Sequence, residues 1–312
     1  MRLLSRRWLR RQRLLHKKAI RASGIPSGRT FFAVRRGRKP MKAERITSRK
    51  SPVVRDAASL LQKAEKRSEA GLFIAEGARL CADAAKSGAE IAACFYTEAA
   101  AEKYGAYLRP VLHAAERAYC IEAHIAPLLS DTKNPQGIFC VCRMKRRTGA
   151  LEAARRVLVL ENVQDPSNVG TILRTAEALG VLHIALVGAC CDIFSPKVLR
   201  GSMGAVFRLG FEQYESALQC AAALNERGLR SLAAVPDSAA APITSIPFEA
   251  GRWAVWIGNE GNGLTQEAIA ACAERITIPM RGRAESFNAS TAAAIVLWEM
   301  MRGAEKGEQA DG

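Results

Sequence analysis

Three stretches in the C-terminal half carry residue types that do chemistry, each placed where an apolar run ends. Asp165-Pro-Ser-Asn168 comes shortly after the apolar run Val157–Leu160 and is followed by Arg174. Gly258-Asn-Glu-Gly-Asn-Gly263 follows Trp253–Ile257. Ser286-Phe-Asn-Ala-Ser290 follows Ile278-Pro-Met280 and leads into the small-residue run Thr291–Ala294. In open α/β sheets ligands sit beyond the carboxyl ends of strands, which is where these stretches fall. The groups on offer are a guanidinium (Arg174), a carboxylate (Glu260), two amides (Asn168, Asn288) and a hydroxyl (Ser286). Such a set orients a ligand and stabilises developing charge.

Each stretch also has an account in local structure alone. Ser167 or Asn168 is a natural helix N-cap, with Pro166 setting the turn. That leaves Arg174 unexplained, less than two helical turns beyond Asn168 and long enough to reach back to the same end of the sheet. Three glycines in six residues make a turn. Their spacing is not that of the dinucleotide-phosphate motif G-x-G-x-x-G. A turn alone gives no reason for Glu260 within it. Ser286–Ser290 reads as a cap ahead of a tightly packed helix.

Strands and helices must hold these residues. Arg156–Glu161 reads as a strand buried on both faces. Asn168–Leu179 reads as a helix stopped by Gly180. Then come a strand at His183–Val187, a helix at Val198–Met203, a strand at Ala205–Phe211, a helix at Ala217–Arg227 and a strand at Leu229–Val235. Ser238–Thr244 is a low-complexity loop. Trp253–Ile257 and Arg275–Pro279 read as strands, Gln266–Cys272 and Ala289–Met301 as helices. Upstream, Arg55–Arg67 reads as one helix, Gly71–Gly77 as a short strand and turn, Ala78–Lys86 as a helix and Ile91–Tyr96 as a strand. Ser130–Gly137 is a polar loop before a strand ending at Cys142. The alternation predicts an α/β chain: a small α/β layer domain over 41–142, a basic linker over 143–154, an α/β domain with a parallel sheet over 155–303, and a disordered tail over 304–312.

The length of 312 residues and 49% hydrophobic content suit two domains with substantial cores. No apolar run approaches the roughly 20 residues of a membrane-spanning helix. The net charge of +16 is localised: residues 1–40 hold 14 of the 46 Lys and Arg and no acid, and the remaining 32 face 30 Asp and Glu. Such an arm binds polyanions in a salt-dependent way or is simply solvated. Its composition also fits a mitochondrial presequence. The preferred reading is a dispensable, disordered extension ahead of a functional start at Met41, on a cytoplasmic protein. Nine cysteines without a C-x-x-C pair, and four histidines without ligand spacing, imply no metal site and free buried thiols in a reducing compartment.

Taken in order, the three stretches resemble the signature motifs of the SpoU/TrmH family of S-adenosylmethionine-dependent RNA ribose 2'-O-methyltransferases, over roughly residues 155–303. Phe287 and Ala289 stand where the family more commonly has Leu and Val. Ser195–Phe207 also matches, and the resemblance implies that its Lys197, Arg200 and Ser202 face RNA. Phe73-Ile-Ala-Glu-Gly77 with Pro135-Gln-Gly-Ile138 resembles the ribosomal-protein-like RNA-binding domain that many members carry, and Lys42–Pro52 looks like the opening of bacterial members. The resemblance implies a trefoil-knotted catalytic domain and a homodimer with the knot region at its interface. It implies S-adenosylmethionine held by Gly258, Ile278, Met280, Phe287 and Asn288, and catalysis by Asn168, Arg174, Glu260, Ser286 and Asn288, without a metal. Ribosomal RNA is the favoured substrate. The alternatives are the same reaction on tRNA, or a catalytically inactive RNA-binding or ribosome-assembly protein. In the family the arginine is proposed as the base. A guanidinium stays protonated in proteins, so positioning the ribose is the simpler role, and both stay open.

Overall fold

A computed structural model describes residues 43–144 and 154–310. The basic segment 1–40 and residues 145–153 of the expected linker lie outside the described residues.

The N-terminal half is a five-stranded sheet of β1 (Glu44–Ile46), β2 (Leu72–Glu76), β3 (Ile91–Tyr96), β4 (Ala118–Ile121) and β5 (Ile138–Arg143), in the order β1-β4-β3-β5-β2. β5 runs antiparallel to β2 and β3, while β1, β4 and β3 are parallel. Helices α1 (Pro52–Gln62), α2 (Ala64–Ala70), α3 (Ala78–Lys86) and α4 (Glu98–Ala114) complete it. α4 and β4 lie in a region for which the sequence reading names no element. The single helix expected over Arg55–Arg67 is two, because Lys63 is extended at φ −132°, ψ 136° and cannot carry helical hydrogen bonds through.

The C-terminal half is a seven-stranded sheet, parallel throughout. Its strands are β6 (Arg156–Glu161), β7 (His183–Val187), β8 (Gly210–Tyr214), β9 (Arg230–Ala234), β10 (Ala241–Pro242), β11 (Trp253–Ile257) and β12 (Glu274–Thr277), in the order β10-β12-β9-β11-β6-β7-β8. Its helices are α5 (Pro166–Ala178), α6 (Pro196–Gly201), α7 (Ala217–Glu226), α8 (Gln266–Ala271) and α9 (Ala289–Ala310). Three expectations are corrected. A short 3-10 turn occupies Ala205–Phe207, and the strand begins only at Gly210, because the left-handed Gly204 starts the turn that buries Ala205 and Val206. β10 lies inside the expected loop Ser238–Thr244, and α9 runs to Ala310 across residues read as tail.

Alternation along the strands fills both faces. Leu158, Leu160, Ile184, Val255 and Ile257 pack with Val169, Ile172 and Leu173 of α5 and Ala293, Val296 and Leu297 of α9. Val157, Val159, Ala185, Ala254 and Trp256 pack with Cys220 and Leu224 of α7 and Ala268 of α8. Burial on both sides is why these strands read as continuous apolar runs. From β6 the chain adds β7 and β8 on one side, then crosses to build β9 on the other side of the β11 position. The order therefore reverses next to β6 and β11, and a ligand crevice opens beside that switch, at the carboxyl ends of β9, β11 and β12.

The two halves share a core rather than only a linker. Leu199 and Val206 are buried with Phe73 and Cys81, and the Phe73 ring stacks on Phe194 with centroids 4.7 Å apart. Arg67, buried in α2, pairs with Asp192 at 2.6 Å and donates to the Leu60 carbonyl at 2.7 Å. All nine cysteines are free thiols. Among the described residues no helix is long and apolar enough to cross a membrane.

Candidate active site

The turn after β6 is capped by Asp165, whose carboxylate accepts the Ser167 N–H at 2.8 Å. Neither Ser167 nor Asn168 is the cap, which corrects the sequence reading. Asn168 lies inside α5, buried, with its amide free to serve something other than the helix end. Gly170 faces Gly201 of α6 so closely that a Cβ there would sit 3.0 Å from the Gly201 Cα, so α5 and α6 meet backbone to backbone.

The three stretches converge through side-chain amides. Asn288 Oδ1 accepts from Ser290 N–H at 2.9 Å and Ser290 Oγ at 2.6 Å, which caps α9 and turns Nδ2 outward. Nδ2 donates to Asn168 Oδ1 at 3.1 Å, and Asn168 Nδ2 donates to Glu260 Oε1 at 3.1 Å. Glu260 Oε1 also accepts the Asp165 N–H at 3.0 Å, while Oε2 accepts the Gln164 N–H at 3.3 Å and Asn259 Nδ2 at 3.4 Å. Partial burial opposes ionisation of Glu260. The hydrogen bonds from Asn168 and from the backbone N–H groups of Glu260, Asp165 and Gln164 outweigh it, and the carboxyl is held below its usual range. Four donors fill the lone-pair sites of a carboxylate, so Glu260 ties the first and second stretches together and has no room to act as a base.

Beside this chain of amides lies a crevice of about 530 Å³, within the range of small-ligand sites. Gly258, Ile278, Met280 and Phe287 line it, and Ser286 does too. Asn288 does not; it belongs to the amide network. The loop after β9, Val235–Asp237, and the side chains of Gln266, Ile269 and Arg275 complete the walls, with Asp237 and Arg275 ion-paired at 2.8 Å. No local motif announces these last residues. Backbone of a glycine-rich loop, apolar Ile257, Ile269, Ile278 and Phe287, and charges at the edge fit S-adenosylmethionine, whose flat base and charged amino-acid end need those surroundings. Gly258 is required for a reason nearer the fold: a Cβ there would lie 2.1 Å from the Gly263 carbonyl carbon.

Arg174 is exposed on α5, on the face of Ser167 and Thr171, and makes no side-chain hydrogen bond or ion pair among the described residues. Six residues at 3.6 per turn place it on a different face from Asn168, so the expected reach back is absent. Lys197 is exposed, with Nζ 3.8 Å from Asp165 Oδ1. Arg200 pairs with Asp131 of the N-terminal half at 2.8 Å. Ser202 does not face RNA: it is fully buried, and its hydroxyl donates to the Leu199 carbonyl at 3.0 Å, closing the end of α6.

Residues 155–298 match the SpoU rRNA Methylase family, and residues 51–140 match the MRM3-like substrate binding domain. The chain is 31% identical over 258 residues to the uncharacterized tRNA/rRNA methyltransferase slr1673 of Synechocystis, spanning 82% of this chain and 93% of the relative. It is 29% identical to the 23S rRNA (guanosine(2553)-2'-O)-methyltransferase RlmP of Bacillus subtilis, over 82% of this chain and 99% of that one. Among solved structures it superposes on the AdoMet-bound rRNA methyltransferase of Sinorhizobium meliloti with a TM-score of 0.74 at 26% identity, covering 83% of this chain and 98% of that one. A TrmH-family protein from Porphyromonas gingivalis gives a TM-score of 0.71 at 28% identity, over 81% and 98%. With three motif stretches tied together by side-chain amides beside one crevice and relatives matched along nearly their full length, the chain belongs to the SpoU rRNA methylase family.

Proposed function

We propose that this RNA 2'-O-methyltransferase acts on ribosomal RNA, moving a methyl group from S-adenosylmethionine to one ribose 2'-hydroxyl. The observation that carries the reading is the Asn288–Asn168–Glu260 hydrogen-bond chain, which reaches the crevice at Glu260. What bound S-adenosylmethionine supplies is an electrophilic methyl group on a sulfonium. Gly258, Ile278, Met280 and Phe287 would hold it. The work of the protein is then to orient the attacking hydroxyl, since displacement at carbon depends on alignment. Asn168 and Asn288 each use one amide N–H within the network and keep a second for a ribose oxygen. Arg174, exposed and without a side-chain partner among the described residues, is available to grip the ribose or its phosphate bidentately as the 2'-oxygen takes the methyl group, S-adenosylhomocysteine leaves and the hydroxyl proton passes to solvent.

The N-terminal half serves as the RNA-recognition domain, supported by its match to a substrate-binding domain. Lys197 and Arg200 carry the RNA strand between the two halves. A homodimer, a trefoil knot around residues 258–288 and a cytoplasmic site belong to the same reading. The knot is supported by α9, which follows β12 yet packs beside α5 on the same face of the sheet, three strands along at β6, and the reducing compartment by nine free thiols. Purified protein should transfer labelled methyl to ribosomal RNA from cells lacking it, at one mapped 2'-hydroxyl. Transfer to tRNA alone would replace the substrate assignment, and no transfer to either would remove the activity.

A further inference from the structure

Glu161, the last residue of β6, is a buried carboxylate that the proposed reaction does not use; it is 3% exposed. Its Oε2 accepts the Thr265 backbone N–H at 2.9 Å and its Oε1 accepts the Thr265 hydroxyl at 2.6 Å. The same hydroxyl oxygen accepts the Ala268 N–H at 3.1 Å, so Thr265 is both the cap of α8 and the partner of the carboxylate. The next residue, Asn162, holds the other end of the loop: its carbonyl accepts Asn259 Nδ2 at 2.9 Å. Between the two ties, Asn259 and Gly263 exchange backbone hydrogen bonds of 2.9 and 3.0 Å. Consecutive residues at the end of β6 thus grip both ends of the glycine-rich loop, and that loop lines the crevice.

We propose that Glu161 is a positioning residue for cofactor binding, acting through Thr265 to fix the wall formed by residues 258–269. The inference rests on reading the crevice as the S-adenosylmethionine site. A buried carboxylate deprived of a donor, or a buried donor deprived of its carboxylate, must move toward other partners or water. Either change releases the start of α8 and the end of the glycine-rich loop together. RNA affinity, carried by surface cations, is untouched.

The test is isothermal titration of the full chain with S-adenosylmethionine and with S-adenosylhomocysteine, alongside steady-state kinetics. Glu161→Gln and Thr265→Val weaken both ligands by roughly tenfold or more, as the loss of a charge-assisted hydrogen bond implies. The KM for the cofactor rises, kcat at saturation holds, and Thr265→Ser, which keeps the hydroxyl, binds like the parent. Unchanged affinity in folded Thr265→Val overturns the proposal, and so does a fall in kcat at constant KM. Should Glu161→Gln not fold, Thr265→Val decides, because it keeps the backbone N–H bond. If the parent itself binds neither ligand, the assignment of the crevice has failed and this inference falls with it.

Discussion

Asn288 Nδ2 donates to Asn168 Oδ1 at 3.1 Å, across 120 positions of chain. One amide caps α9 and the other sits inside α5, so the bond joins the helix after β12 to the helix after β6. Replacing either by Ala removes a donor that the proposed mechanism aims at the ribose. Asn288→Ala and Asn168→Ala should each lower methyl transfer by about 100-fold or more, the usual cost of losing a preorganised donor. Circular dichroism should show the fold retained. Near-parental turnover in either variant would take that residue out of the mechanism.

Glu260 is surrounded by four donors, and its carboxyl is held below the usual range by those hydrogen bonds against the opposing effect of partial burial. A depressed pKa contributes stability that is present above the unfolded value and lost as pH falls through the folded one. The loop should therefore stay organised through neutral pH and come apart only below the normal carboxylate range. Glu260→Gln turns an NH2 toward N–H donors, so cofactor affinity should fall at every pH and lose its acid limb. Titration calorimetry across a pH series checks this; an unchanged acid limb in the variant would assign it to another group.

Gly258 has no room for even a methyl group, with the Gly263 carbonyl carbon 2.1 Å from where a Cβ would stand. Gly258→Ala should cost about 1–3 kcal/mol in overpacking and abolish cofactor binding through displacement of the loop. At Gly261 the nearest atom to an added Cβ is Asn259 Oδ1 at 3.6 Å, an ordinary contact, so Gly261→Ala should melt like the parent. Thermal denaturation of the pair is decisive: equal melting temperatures would mean that the approach at Gly258 is not close.

Arg174 is exposed and unpartnered among the described residues, so nothing in the fold depends on it. Arg174→Ala should leave the melting temperature unchanged and reduce turnover by about 100-fold or more. Arg174→Lys should recover only part, because an ammonium lacks the planar fork that grips a phosphate or ribose edge from two sides. Single-turnover kinetics over a pH series would separate this positioning role from that of a base: a base leaves a titration that moves in the Lys variant, a positioning group does not.

Much of the scaffold was legible in the chain. The apolar runs at 156–161, 183–187 and 253–257 read as strands with the bounds they have, because a strand buried on both faces must be apolar at nearly every position. Two of the three clusters of glycine, asparagine and serine, at 258–263 and 286–290, mark loops that line the crevice, while the first, at 165–168, lies outside its lining and meets the others through side-chain amides. What required the tertiary structure was direction and pairing. Ser202 looks like a surface serine in sequence and is buried because it ends α6 where that helix meets α5 backbone to backbone at Gly170 and Gly201. Asn168 looks like a cap, yet Asp165 takes that place and frees the amide for Glu260. Glu161 ends an apolar run like any solvent-facing acid, and only the approach of Thr265, 104 residues later, makes it an anchor. Arg67 gave no signal at all before Asp192 met it. Hydrophobic periodicity is local and is written in adjacent residues, whereas a hydrogen bond between distant side chains exists only once packing has brought its two ends together.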